Sequence, residues 1–161
     1  MKIAIILVSE VSLSTAQLLL SELPEAKSET KTEVEIFTPR HEDGCTHIES
    51  VSSFISENFN RFDAFIFIGA MGICVRAIAP CMKNKYTDPA VVCVDSLGKH
   101  AISVLSGHIG GANELTNKVA SLLGAEPVVT TQSDLTGLWA LDTLAERFNW
   151  FPVISANLQH S

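Results

Sequence analysis

Apolar and polar positions divide this chain into short unbroken apolar runs and longer stretches with helical spacing. Ile3-Ala4-Ile5-Ile6-Leu7-Val8, Phe65-Ile66-Phe67-Ile68 and Ala90-Val91-Val92-Cys93-Val94 contain no polar position. Apolar runs of this length without alternation mark strands covered on both faces. The pattern predicts strands over Lys2 to Val8, Val34 to Phe37, Asp63 to Ile68, Ala90 to Val94, Ala101 to Leu105 and Pro127 to Thr130.

Helical spacing fills the intervals. Leu13, Ala16, Leu19, Leu20 and Leu23 share a face, Ser14 and Gln17 form a capping box, and Pro24 ends that helix. A second helix is predicted from His47 to Asn58, opened by Thr46 and Glu49, with Ile48, Val51, Phe54, Ile55 and Phe59 buried. A third runs from the Gly69–Gly72 loop through Arg76 to about Met82. A fourth covers Gly111 to Leu123, with Leu115, Val119, Leu122 and Leu123 on one face. A last helix is expected over Thr136 to Phe148. Leu97-Gly98 reads as a turn, which would make Ala101 to Leu105 the second arm of a hairpin with Ala90 to Val94.

Strands alternating with helices predict an α/β domain: a mostly parallel open sheet with helices on both faces. The domain is expected over residues 1–150. Trp150-Phe151-Pro152 opens a tail, or the start of a following segment, over 151–161.

Composition narrows the function. The chain has 161 residues, 47% hydrophobic and 18% charged, with a net charge of -7. That balance describes a globular chain and argues against a nucleic-acid partner, which would need clustered Lys and Arg. No apolar run reaches the length of a membrane span, so no membrane partner is expected. Cys45, Cys74, Cys81 and Cys93 form no CxxC pair or common zinc spacing. They are expected to be reduced thiols of a cytoplasmic protein, with no metal site.

Candidate chemistry gathers where strands end. Gly69-Ala70-Met71-Gly72, Ser106-Gly107-His108-Ile109-Gly110-Gly111 and Thr130-Thr131-Gln132-Ser133-Asp134 each follow an apolar run, and Asp95 ends another. Ligands of open α/β sheets bind beyond the carboxyl ends of the strands. If these strands are parallel neighbours, the loops converge on one cleft. Gly107, Gly110 and Gly111 suit a backbone cradle for a carboxylate or phosphate, and equally a tight strand-to-helix turn. Arg76, one turn beyond Gly72, suits a ligand carboxylate. His108, Glu114 and Asp95 are the candidate proton-handling set, the imidazole titrating near neutrality. Neither G-x-G-x-x-G nor a Walker loop occurs.

The order of FIGAMGICVRAIAP, DPAVVCVDSLGKHAISVLSGHIGGANELTNKVASLLGAEPVVTTQSD and GLWALDTLAE resembles the amino-terminal part of the CbiG family, the cobalt-precorrin-5A hydrolases of anaerobic cobalamin (vitamin B12) biosynthesis. The resemblance covers Phe65 to Glu146 and fades over the first 60 residues. It implies a cobalt-bearing tetrapyrrole with acetate and propionate arms as substrate, a δ-lactone opened on ring A, and acetaldehyde released. No cofactor is implied, because the cobalt belongs to the substrate. The resemblance locates the region, and the strand-end loops and their neighbours within it, Gly69, Ala70, Met71, Gly72, Arg76, Ser106, Gly107, Gly110, Gly111, Asn113, Thr130, Thr131 and Asp134, are the candidate substrate-binding residues. Members of the family continue into a separate carboxyl-terminal domain, the expected partner of this segment beside a second copy of the chain. The alternative reading is a non-catalytic tetrapyrrole-binding domain of a larger cobalamin-biosynthesis protein.

Overall fold

The computed structural model describes residues 1–24 and 31–130. Its strands are β1 (Lys2–Leu7), β2 (Glu33–Thr38), β3 (Thr46–His47), β4 (Ala64–Ile68), β5 (Ala90–Val94), β6 (His100–Leu105) and β7 (Glu126–Val128). Its α-helices are α1 (Leu13–Glu22), α2 (Val51–Asn58), α3 (Met71–Ile78) and α4 (Ala112–Leu123). The strands form a seven-stranded sheet in the order β3-β2-β1-β4-β5-β6-β7. Every neighbouring pair is parallel except β5 with β6. The mostly parallel α/β sheet expected from the apolar runs is present.

The unbroken apolar runs serve two cores at once. Ile3, Ile5 and Leu7 of β1 with Ile66 and Ile68 of β4 pack on Ala16, Leu19 and Leu23 beneath α1 and on Leu115 and Val119 of α4. The alternate positions Ala4, Ile6, Phe65 and Phe67 pack on the other face against Ile55 of α2, Phe59, and Cys74, Ala77 and Ile78 of α3. Successive strand side chains point to opposite faces, so a strand with helices above and below has no polar position left to display.

Several local expectations shift. Thr46 and His47 do not open a helix; they extend and pair with Phe37 and Thr38 as β3. The helix starts at Val51 instead, where the Ser50 hydroxyl accepts the Ser53 N–H at 3.1 Å. α1 begins at Leu13 rather than behind a Ser14–Gln17 box. A 3-10 turn over Glu10–Ser12 precedes it, and Ser12 Oγ donates to the Ser96 carbonyl at 3.0 Å. α3 stops at Ile78 and tightens into a 3-10 turn at Ala79–Cys81, where Pro80 cannot continue the α-helical ladder.

The chain parts into two compact units, Met1–Val129 and Thr130–Ser161. The predicted helix over Thr136 to Phe148 and the 151–161 tail lie outside the described residues. Among the described residues no helix is long and apolar enough to cross a membrane.

The turn between β5 and β6 sets the direction of everything after it. The Asp95 carboxylate accepts the backbone N–H groups of Leu97 at 3.1 Å, Lys99 at 2.9 Å and His100 at 2.6 Å. Gly98 takes φ 67°, a left-handed angle that a side chain resists, and its N–H returns to the Asp95 carbonyl at 2.9 Å. Partial burial opposes the charge on Asp95. The three N–H donors and the nearby His100 outweigh it together and hold the carboxyl below its usual range.

Two outcomes are expected. Phe65→Ala, at a position with no exposure, should cost about 3–5 kcal/mol in a urea titration, because the cavity it leaves lies between packed strands. Asp95→Ala should cost roughly 1–2 kcal/mol by the same measurement at neutral pH. A depressed folded pKa means the Asp95 contribution is complete above the unfolded value of about 4 and fades as pH falls below it. The gap between wild type and Asp95→Ala should therefore narrow towards pH 3. A gap that stays constant would mean the carboxylate charge is not what closes the turn.

Candidate functional site

The antiparallel β5–β6 pair divides the sequence-predicted site residues between two edges of the sheet. β1, β4 and β5 end at one edge, here the carboxyl edge. β6 runs back, so Ser106 and the loop after it lie at the opposite, amino edge, where β1, β4 and β5 begin. A five-residue strand separates the two edges by about 16 Å. The expected single cleft holding Gly69–Gly72 and Ser106–Gly111 is therefore not formed. Asp95 stands at the carboxyl edge and His108 and Glu114 at the amino edge, so the expected proton-handling set is not assembled either. The reason is the Asp95-closed turn.

The carboxyl edge carries the switch point of this topology. β1 lies between β2 and β4, and the helices that follow β1 and β4 pack on opposite faces of the sheet. The ends of those two strands are the switch point at which doubly wound sheets receive ligands. The Val8 N–H donates to the Ile68 carbonyl at 3.4 Å and the Gly69 N–H to the Val94 carbonyl at 2.9 Å. Ala70 is the N-cap of α3 and contributes no side-chain cap; the N–H groups of Ile73 and Cys74 return to its carbonyl. The N–H groups of Met71 and Gly72, in the first turn, then point out of the helix end. Arg76 folds back along the same helix, its Nη1 standing 3.3 Å from where a Cβ on Gly72 would sit. A helix amino end with a guanidinium beside it can receive a carboxylate. Two exposed apolar side chains, Val11 at 65% and Leu97 at 66%, flank the Ser12–Ser96 hydrogen bond at this edge. Arg40, at the end of β2, is already paired with Glu10 at 3.0 Å.

At the amino edge the glycine-rich loop packs closely on itself. A Cβ on Gly110 would stand 2.5 Å from Ser106 Cβ and 2.8 Å from the Ser106 carbonyl oxygen. A Cβ on Gly107 would stand 2.6 Å from Asn113 Oδ1, which also accepts the Ser103 hydroxyl at 2.7 Å. The N–H groups of Gly111, Ala112 and Asn113 donate to the carbonyls of His108, Ser106 and Gly107. Within the cradle expected between Gly107 and Ala112, the N–H groups of Gly111 and Ala112 are thus taken by the loop itself. His108 is exposed at the crest of the loop. Ser106 holds φ 58° without being glycine, fixed by its hydroxyl, which donates to the Asp88 carbonyl at 3.0 Å.

Below that loop lies a cavity of about 910 Å³, lined among others by Ile3, Phe62, Asp63, Asp88, Glu114 and Lys118. Sequence reasoning passed over Asp88. Its Oδ2 accepts the Lys83 N–H at 2.8 Å, while its Oδ1 is buried without a partner among the described residues. The only sequence signal was an acidic residue directly before the apolar run of β5. Thr130 follows β7 and is exposed; Thr131 and Asp134 lie outside the described residues. Among the described residues no group of three or more His, Cys, Asp or Glu could hold a metal ion.

Comparison with known proteins fits this architecture. The family model for the cobalamin synthesis G N-terminal domain matches residues 53–134. The cobalt-precorrin-5A hydrolase of Salmonella typhimurium is 55% identical over 91 residues, 56% of this chain and 26% of that protein. The enzyme of the same name from Priestia megaterium is 50% identical over 101 residues, 63% of this chain and 27% of that protein. The chain thus spans about a quarter of the length of these curated relatives. The crystal structure of a cobalamin biosynthesis protein G homologue from Sulfolobus solfataricus superposes with a TM-score of 0.63 at 25% identity, covering 80% of this chain and 36% of that one. The matched segment contains α3, the Asp95 turn, the Ser106–Gly111 loop and α4, so part of each edge falls inside it, and the chain belongs to the cobalamin synthesis G N-terminal family.

Proposed function

We propose that this chain is the amino-terminal part of a cobalt-precorrin-5A hydrolase and that its carboxyl edge receives the macrocycle. The observation that carries the reading is the 55% identity over 91 residues to an enzyme of that name. The substrate would be a flat, cobalt-bearing ring edged with carboxylates, the cobalt arriving with the substrate. The first turn of α3 with Arg76 suits one carboxylate arm, and Val11 and Leu97 offer apolar surface to the ring. The reaction adds water across the acyl C–O bond of the ring A lactone, giving a carboxylate and a hydroxyl. A base then takes the hydroxyl proton, the C–C electron pair passes into the macrocycle, and acetaldehyde leaves. A cytoplasmic setting accompanies this reading, as does a partner domain in the rest of the enzyme.

A second reading gives this unit binding without the proton transfers. It is favoured by Asp95, which is committed to three backbone N–H groups, and by His108, which is exposed at the other edge. The base would then come from another part of the full-length enzyme.

Both readings are tested in that enzyme by acetaldehyde release. Arg76→Glu should raise KM about ten- to a hundredfold, the loss of one charge-assisted contact, and leave the thermal midpoint nearly unchanged because Arg76 is exposed. An unaltered KM would remove the macrocycle from α3. His108→Ala should keep kcat within about threefold. A fall of a hundredfold or more, the scale of a lost general base, would restore a proton-transfer role to His108 and defeat the second reading.

A further inference from the structure

Asp95 has a histidine at hand, and it is not His108. His100 opens β6, and its ring Nδ1 lies 3.6 Å from Asp95 Oδ1, the same oxygen that accepts the His100 N–H. A ring nitrogen that faces an ionised carboxylate carries the hydrogen itself, because the carboxylate has none to give. The neutral imidazole then presents an unprotonated Nε2 on its other side, with no hydrogen-bond partner among the described residues. The side chain is 52% exposed, so a ligand can reach that nitrogen. At 3.6 Å the Asp95 contact is an ion-pair distance rather than a formed hydrogen bond, and such contacts tighten when substrate is bound.

The pair stands at the carboxyl edge, on the face of the sheet that carries α3. Cys93 and its register partner Ile102 share that face, and His100 alternates onto it two residues before Ile102. The Gly69 N–H donates to the Val94 carbonyl and the Asp95 N–H to the His100 carbonyl, so Gly69, Asp95 and His100 are level on three adjacent strands. His100 is therefore two strand spacings, about 10 Å, from the point where the chain enters α3. A carboxylate arm held at the first turn of α3, with the ring edge that bears it, bridges that distance. The N–H groups around Asp95 suit it to orient the ring rather than to accept a proton. Partial burial opposes its charge, yet the three donors keep the carboxyl below its usual range. A fixed, ionised carboxylate holds the imidazole tautomer and steadies the positive charge the ring gains.

We propose, resting on the reading that the carboxyl edge receives the macrocycle, that His100 is the general base of the reaction and that Asp95 is its positioning residue. Nε2 takes a proton from water as the water oxygen bonds to the lactone acyl carbon. The imidazolium returns that proton to the ring oxygen as the acyl C–O bond breaks, and the new carboxylic acid ionises to solvent. Neutral again, the imidazole takes the proton of the freed hydroxyl in the second step. The electron pair of the breaking C–C bond passes into the macrocycle, and acetaldehyde leaves.

The test is acetaldehyde release by the full-length enzyme acting on cobalt-precorrin-5A. His100→Ala should lower kcat by about a hundredfold or more with KM within about threefold, and free imidazole should restore part of the rate, which it would not do for a structural role. Asp95→Asn should lower kcat by about tenfold or more. Glu126→Gln removes the carboxylate at the register position beside His100 on β7 and should keep kcat within about threefold. Nitrogen NMR of the histidine-labelled wild-type enzyme at mildly alkaline pH reads the tautomer directly, should Asp95→Asn melt early. His100 should carry its proton on Nδ1. A kcat for His100→Ala within about threefold of wild type, a loss that imidazole does not rescue, an equal loss in Glu126→Gln, or a proton on Nε2 would overturn the proposal. A wild-type enzyme that releases no acetaldehyde would overturn the proposed function and this assignment with it. Normal wild-type release with an unaffected His100→Ala would overturn the assignment alone.

Discussion

Three backbone N–H groups converge on one carboxylate at Asp95, and the path of the second half of the chain follows from that convergence. Without a tight reversal there, β6 would cross over and enter the sheet parallel to β5, and the Ser106 loop would emerge beside Gly69. With it, the chain turns back within five residues and the same loop emerges at the far edge. α4 and β7 inherit that direction, β7 running parallel to β6. The turn thus decides at which edge of the sheet each loop stands. The carboxyl edge keeps the switch point and the start of α3, and the amino edge keeps a roomy acidic cavity.

The two faces of the sheet make that division rigid. β1, β4 and β5 each bury both sets of alternate side chains, one under α1 and α4, the other under α2 and α3. A one-residue slip of any of these strands would exchange the two sets between differently shaped cores, so their register is strongly specified. The edges therefore hold their spacing, and groups placed 16 Å apart by the strands cannot be brought together by small adjustments.

The central strands were legible because burial on both faces leaves an unbroken apolar run that helices of similar length do not show. The hairpin was legible too, in Leu97-Gly98. Its consequence was not, because the rule that ligand loops gather at strand ends presumes strands of one direction. β3 was missed for a different reason. Thr46 with Glu49 satisfies a helix-capping pattern, and a two-residue strand has too few positions to show period-two alternation against it. The site was less legible than the fold. Asp88 is one acidic residue directly ahead of β5, and nothing in its sequence neighbours reveals that one carboxylate oxygen is anchored and the other stranded.

The glycine-rich loop shows how one sequence signature can answer to two causes. Glycine is required wherever backbone must approach something closely, and sequence alone does not say whether that something is a ligand or the chain itself. At Gly110 it is Ser106, and at Gly107 it is Asn113. The loop closes on its own carbonyls because Ser106 adopts a left-handed angle that would be costly without its bond to Asp88. That bond joins the loop to the start of β5 and roofs the cavity. The glycines thus also serve the chain itself. They allow the turn, the turn places Ser106, and Ser106 fixes the main chain of the residue whose carboxylate oxygen is left without a donor.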